Sequence, residues 1–213
     1  MGREFLELFE DWADHYDDSV NGHDEEYKEV FRNYEQILDA VVERSIGTVL
    51  EFGVGTGNLT HRFIEKGVTV YGIEPSEPMR SLALEKVPST ISIADGDFLD
   101  FQWPSQTINT IVSTYAFHHL TDEEKGRAIA KYGNYLQKGD KIVFADTAFE
   151  SIEAYEEIVE KSRKQGYHNL ADDLVREYYT TLGVLEKLFA ENGFSVTFSR
   201  CNEFVWVMEA VKQ

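Results

Sequence analysis

Apolar positions recur every three or four residues through 25–44, where Tyr27, Val30, Phe31, Tyr34, Ile37, Leu38, Val41 and Val42 share one stripe. That period predicts an amphipathic helix, with Asp24 placed as its N-cap. A shorter stripe of Phe5, Phe9, Trp12, Ala13 and Tyr16 predicts a helix over residues 3–16. From residue 48 the pattern changes to short apolar runs alternating with amphipathic segments. It reads as strand 48–52, helix 58–67, strand 68–74, helix 76–86, strand 90–95 and strand 107–114. A further helix opens at Thr121, where Glu124 three residues on completes a capping box, and strand 140–146 follows the turn at Gly139.

Strands alternating with helices through short connections imply a parallel sheet covered on both faces. The end of the chain departs from this rhythm. Residues 150–192 read as two or three helices, and strands 194–200 and 204–212 follow with only Cys201, Asn202 and Glu203 between them. So short a connection joins antiparallel neighbours, because a parallel pair needs a crossover of roughly a dozen residues or more. The chain is therefore of the α/β class, its sheet mostly parallel with one reversed strand.

Composition narrows the partners. With 213 residues, 42% hydrophobic and 28% charged, the chain is long enough for a substantial core. No apolar run approaches the roughly 20 residues of a membrane span, and the opening MGREFLELFEDW has neither the basic start nor the apolar stretch of a secretory signal. The single cysteine, Cys201, permits no internal disulfide and fits a reducing, cytoplasmic setting. A net charge of −19 repels phosphate backbones and anionic membranes, so a small molecule is expected as partner, with no nucleic acid and no membrane.

The chemistry concentrates after strand 48–52, in VLEFGVGTGNLT. Each glycine costs about 0.5–1 kcal/mol in regular structure relative to alanine, and Gly53, Gly55 and Gly57 together suit a turn that a ligand approaches closely. The turn lies at the carboxyl end of a strand, where parallel sheets bind ligands. The next strand ends in Glu74, 21 residues after Gly53, placed to accept hydrogen bonds from ribose hydroxyls. Asn58 stands where a dinucleotide fingerprint has its third glycine. Glu51, two residues before the first glycine, suits a cation rather than a pyrophosphate. After the third strand, Asp97 can accept from an adenine amino group, with Phe98 and Met79 as candidate covers for the ring.

These stretches resemble the motifs of class I S-adenosylmethionine-dependent methyltransferases: LEFGVGTGNLT the first, VYGIEPSEPM the acidic second, ADGDF the third and INTIVSTYAFHHL the fourth. The whole chain most resembles the YrrT-type group of bacterial methyltransferases. The resemblance implies a Rossmann-like seven-stranded sheet of order 3-2-1-4-5-7-6 with strand 7 antiparallel and helices on both faces. It implies one methyltransferase domain over 1–213: N-terminal helices to residue 45, a cofactor-binding core over 46–149, a helical insertion over 150–193 and antiparallel strands over 194–213. Carried across, Gly53 and Gly55 contact the methionyl part of S-adenosylmethionine, Glu74 the ribose and Asp97 the adenine. Thr114 and Tyr115 flank the sulfonium, and Tyr16, in a segment resembling small-molecule members, is a candidate lid contact. Phe52 and Val54 stand where many relatives have smaller or polar residues.

The acceptor half is less legible. His118 is a weak catalytic candidate as a general base, set against a local role for His118 and His119 in fixing the loop. Adjacent side chains diverge, and no further His or Cys is spaced to complete a ligand set, so no metal is expected. Tyr178, Tyr179, Tyr167 and His168 are candidates for an acceptor pocket or for helix packing. The expected function is methyl transfer to a small soluble acceptor by a monomer or homodimer. Two other readings remain open: a noncatalytic S-adenosylmethionine-binding regulatory module, and an NAD-dependent oxidoreductase, which the glycine spacing and the lack of a Tyr-x-x-x-Lys pair disfavour.

Overall fold

The computed structural model of the chain describes Asp17, Val20 and residues 22–213. The helix expected over residues 3–16, Tyr16 included, lies outside the described residues. The elements run α1 (Tyr34–Arg44), β1 (Val49–Phe52), α2 (Asn58–Glu65), β2 (Val70–Ile73), α3 (Glu77–Lys86), β3 (Ser92–Ala94) and β4 (Thr110–Thr114). A 3-10 turn (Phe117–His119) leads to α4 (Asp122–Gly133) and β5 (Lys141–Thr147). Three helices, α5 (Ile152–Gln165), α6 (His168–Arg176) and α7 (Leu182–Glu191), precede β6 (Phe194–Arg200) and β7 (Val205–Lys212).

The seven strands form one sheet of order β3-β2-β1-β4-β5-β7-β6. β1 pairs in parallel with β2 and β4, and β7 lies antiparallel between β5 and β6. The expected topology is met, reversed strand included. Alternation along the strands builds a core on each face. Val49 joins Val41 of α1 and Leu59 and Phe63 of α2 on one side. Leu50 and Phe52 join Ile129 and Tyr132 of α4 and Phe189 of α7 on the other. Full burial of each such side chain is worth about 1.5–3 kcal/mol. The capping box of α4 is present as expected, Thr121 and Glu124 each accepting from the other's backbone.

The helix expected over 25–44 is shortened. Residues 25–32 form turns, Asn33 takes a left-handed φ of 66°, and α1 begins only at Tyr34. Asp24 accepts the Glu26 amide at 3.0 Å in a local turn and caps no helix. The cause lies far away in sequence. Asn202, buried in the β6–β7 turn, donates to the carbonyls of Val30 and Arg32 at 3.0 and 2.9 Å. Those carbonyls would otherwise serve a continuing helix. Val30 and Phe31 are thereby turned into the core alongside Tyr115, at the carboxyl end of the sheet.

Candidate active site

β1 runs directly into the glycine turn, and Gly53, Gly55 and Gly57 all have positive φ, at 67°, 57° and 91°. Two of them differ in what surrounds them. A Cβ on Gly53 would stand 2.8 Å from the Ala116 Cβ, so this position is closed by the chain leaving β4. A Cβ on Gly55 would meet nothing within 4 Å, so main chain is laid bare to open space there. α2 starts immediately after the turn, aiming its first N–H groups toward the same region. Asp17 accepts from Thr56 Oγ1 at 2.7 Å and Asn58 Nδ2 at 3.1 Å, tying the N-terminal segment to the turn.

Glu74, just beyond β2, is buried facing this turn. Its Oε2 accepts the Gly55 amide and its Oε1 the Ser76 amide, both at 2.8 Å. Burial pushes its carboxyl up, and the two amides oppose that. A carboxylate so held keeps a further lone pair on each oxygen, the number two neighbouring hydroxyls need. Asp97, after β3, is also buried, and its Oδ1 accepts the amides of Leu99 and Asp100 at 2.9 and 2.8 Å. Those two bonds fix the carboxylate beyond the end of β3. An open glycine backbone, a clamped acid on β2 and a second acid on β3 together fit S-adenosylmethionine.

Three further sequence candidates are buried. Phe98 is buried in the core, its ring 5.2 Å from Phe52 and 5.5 Å from Phe117, an arrangement that packs the sheet. Met79 is likewise buried, on the first turn of α3. Glu51 is 1% exposed beneath the turn, where Thr60 Oγ1 donates to its Oε2 at 2.6 Å. Burial raises it to about 8, opposed by the Thr60 bond and reinforced by the charge of Glu74. With no cation beside it among the described residues, burial favours the neutral acid, and the Thr60 bond ties β1 to α2.

The chain leaving β4 borders a cavity. Thr114 pairs with Ala145 at the end of the strand, and Tyr115 follows in a left-handed φ of 54°, a conformation costing about 1–3 kcal/mol for a non-glycine residue. The Tyr115 amide donates to the Ala145 carbonyl at 2.9 Å, and its ring packs 5.1 Å from Phe31 and 5.7 Å from Tyr34. Beyond it opens a cavity of about 410 Å³ between residues 24–31, the 115–119 loop and α6.

His118 stands in its wall. Asp146 of β5 holds it twice, Oδ1 at 2.6 Å from Nδ1 and Oδ2 accepting the backbone amide at 2.9 Å. Nε2 faces the Glu177 carboxylate at 3.4 Å, and the Tyr179 ring stacks on the imidazole at 4.9 Å. Burial opposes the charged imidazolium, but Asp146 and Glu177 outweigh it and raise His118, with Lys125 acting in the other direction. His119 is driven well down by burial, helped by His118, Lys125 and Arg176. Burial also raises Glu177, against the pull of His118 and the Tyr179 hydroxyl, which donates at 2.5 Å.

Neither Asp146 nor Glu177 is a sequence candidate. Asp146 carries a usable signal, an acid at the carboxyl end of a core strand. Glu177 carries none, and it reaches the two histidines only because α6 folds back over the loop. Of the four aromatic and imidazole candidates in the helical segment, Tyr179 lines the cavity, while Tyr178 faces outward at 38% exposure.

Residues 49–139 match the family described as a methyltransferase domain. Over 213 residues the chain is 67% identical to an uncharacterized methyltransferase of Geobacillus sp. (strain WCH70), covering 100% of both chains. It is 62% identical to one of Geobacillus thermodenitrificans (strain NG80-2), covering 100% of this chain and 99% of that one. The magnesium protoporphyrin IX methyltransferase of Synechocystis PCC 6803, solved with bound SAH, shares the fold with a TM-score of 0.67. The two are 18% identical, over 87% of this chain and 86% of that one. With the strand order, the bare glycine turn and the acid on β2 already in place, these likenesses agree: the chain belongs to the class I S-adenosylmethionine-dependent methyltransferases.

Proposed function

We propose that this methyltransferase acts on a small, soluble acceptor bound in the cavity beside Tyr115, in the cytoplasm, as a monomer or homodimer. When bound, S-adenosylmethionine supplies an electrophilic methyl carbon on a cationic sulfur. The backbone at Gly53 and Gly55 receives the methionyl part, the Glu74 oxygens take the ribose hydroxyls, and Asp97 takes the adenine amino group. Thr114 and Tyr115 flank the sulfonium. Holding nucleophile, methyl carbon and sulfur aligned contributes several kcal/mol, up to about 7–11 kcal/mol in favourable cases.

The observation that carries this reading is adjacency. Ala116, whose Cβ closes Gly53, belongs to the same loop as Tyr115 and His118, so the glycine turn and the cavity share one wall. The volume of about 410 Å³ suits a small molecule, and a net charge of −19 disfavours a nucleic-acid acceptor. Among the described residues no helix is long and apolar enough to cross a membrane. The test is incubation with methyl-labelled S-adenosylmethionine and a cell extract split into small-molecule, protein and nucleic-acid fractions. Label should enter the small-molecule fraction. Label confined to protein or nucleic acid overturns the acceptor reading.

A further inference from the structure

The walls of the cavity discriminate among small acceptors. Among the described residues it is lined by four carboxylates, Asp24, Asp172, Asp173 and Glu177, against one guanidinium, Arg176. Asp146 stands behind His118 as a further acid. Tyr27, Phe31, Tyr115 and Tyr179 add aromatic surface to the same walls. Acids and ring faces both attract an organic cation, and a carboxylate or phosphate would face more acids than bases there.

We propose that the acceptor is a small organic ammonium compound methylated on nitrogen, and that His118, held by Asp146, takes the proton from that nitrogen. The proposal rests on the methyl-transfer reading above and adds to it the chemical class of substrate and the base. In the neutral ring, the Asp146 contact at Nδ1 favours the proton there and leaves Nε2 as the acceptor, 3.4 Å from the Glu177 carboxylate in the cavity wall. An ammonium nitrogen against this wall gives one N–H proton to Nε2. Its freed lone pair forms the N–C bond as the C–S bonding pair passes to sulfur, leaving a neutral thioether. The imidazolium, paired with Asp146 and Glu177, then releases its proton to solvent. The groups that set this titration are Asp146 on β5, Glu177 and Tyr179 after α6, His119 beside it and Lys125 on α4.

A divalent metal on His118, His119 and Glu177 is the competing occupant, since their donor atoms lie within 4.8 Å of one another. His119 Nδ1, however, is 4.0 Å from the Glu177 carboxylate, wider than the edge of about 3.3 Å that follows from tetrahedral bonds of about 2.0–2.1 Å. The aromatic walls also have no part in such a site.

The test compares choline with its neutral isostere 3,3-dimethyl-1-butanol by calorimetry, on protein saturated with S-adenosylhomocysteine. Choline should bind at least about tenfold tighter, and Glu177→Gln should remove most of that preference. Asp172→Asn, a change on the exposed side of α6, should weaken choline by about threefold without touching the fold. Equal affinity for the two probes in folded protein overturns the proposal. So does stoichiometric Co²⁺ binding with a visible absorption band that His118→Asn abolishes. With a mixture of primary amines and matched alcohols, label should pass to the amines, and His118→Asn should lower kcat by about 10²-fold or more. The same variant should keep choline and S-adenosylhomocysteine affinity within about twofold and lose the acid limb of the pH–kcat profile. An unaltered profile removes His118 from the step. Failure of S-adenosylhomocysteine itself to bind would instead strike the methyl-transfer reading.

Discussion

Replacing Glu51 by glutamine should stabilise the protein increasingly as pH rises. Glu51 is 1% exposed, and its carboxyl, at 4.5 in an ordinary setting, is raised by burial to about 8. Between those values the native state keeps a proton that the unfolded chain has released, so stability falls as pH rises across the window. Each pH unit there costs about 1.4 kcal/mol, so moving from about pH 5 to about pH 7.5 costs the wild type about 3 kcal/mol through this group alone. Glutamine does not titrate and still offers an oxygen to Thr60. Its new amide N–H groups carry a burial cost of about 1–3 kcal/mol if unpaired, but that cost is the same at both pH values and cancels in the comparison. Urea unfolding of both proteins at the two pH values gives the difference directly. The stability of Glu51→Gln relative to wild type should rise by about 2–3 kcal/mol between about pH 5 and about pH 7.5. A relative stability that does not change with pH would refute the reading of Glu51 as a buried neutral acid.

Glu74→Ala should lower S-adenosylmethionine affinity by at least about tenfold, the loss of about 1.4 kcal/mol or more, in calorimetry on protein whose circular dichroism is unchanged. Gly53→Ala and Gly55→Ala should separate: both strain a positive φ by about 1–2 kcal/mol, but only Gly53→Ala also clashes with Ala116, so it should show the larger loss in urea unfolding. Gly55→Ala should keep more of its stability and lose cofactor affinity. Asn202→Ala strips partners from the Val30 and Arg32 carbonyls and the Phe204 and Val205 amides, and should cost about 2 kcal/mol or more in unfolding free energy. Lys125→Met leaves the Leu120 and Tyr178 carbonyls, now bonded at 2.5 and 2.6 Å, without their ammonium. It should weaken acceptor binding, read as a raised KM for the acceptor, while calorimetry shows cofactor affinity unchanged.

The sheet was legible in the sequence because its signals are local. Val49 and Leu50 alternate across two cores, the three glycines punctuate β1, and Thr121 and Glu124 announce α4 within four residues. The tail was legible for a stereochemical reason, since Cys201, Asn202 and Glu203 are too few to cross a sheet. What escaped depends on partners distant in sequence. The stripe from Tyr27 to Val42 has helical period throughout, and only Asn202, arriving from the β6–β7 turn, takes the carbonyls that end it. An aromatic after an acid reads the same whether it covers a ligand or packs a core, and the rings of Phe52 and Phe117 place Phe98 in the core. The His118 cluster was half visible. The two histidines are adjacent in sequence, but Asp146 and Glu177 join them only in three dimensions.

On this reading, the main chain laid bare at Gly55 and the clamped carboxylate of Glu74 together cradle the methyl donor. A crystal structure with S-adenosylhomocysteine measures this most directly. Both ribose hydroxyls should lie within about 3 Å of the Glu74 oxygens, with the homocysteine over Gly55 and the sulfur pointing past Tyr115 toward His118. Ligand density anywhere else, or a ribose out of reach of Glu74, would contradict it.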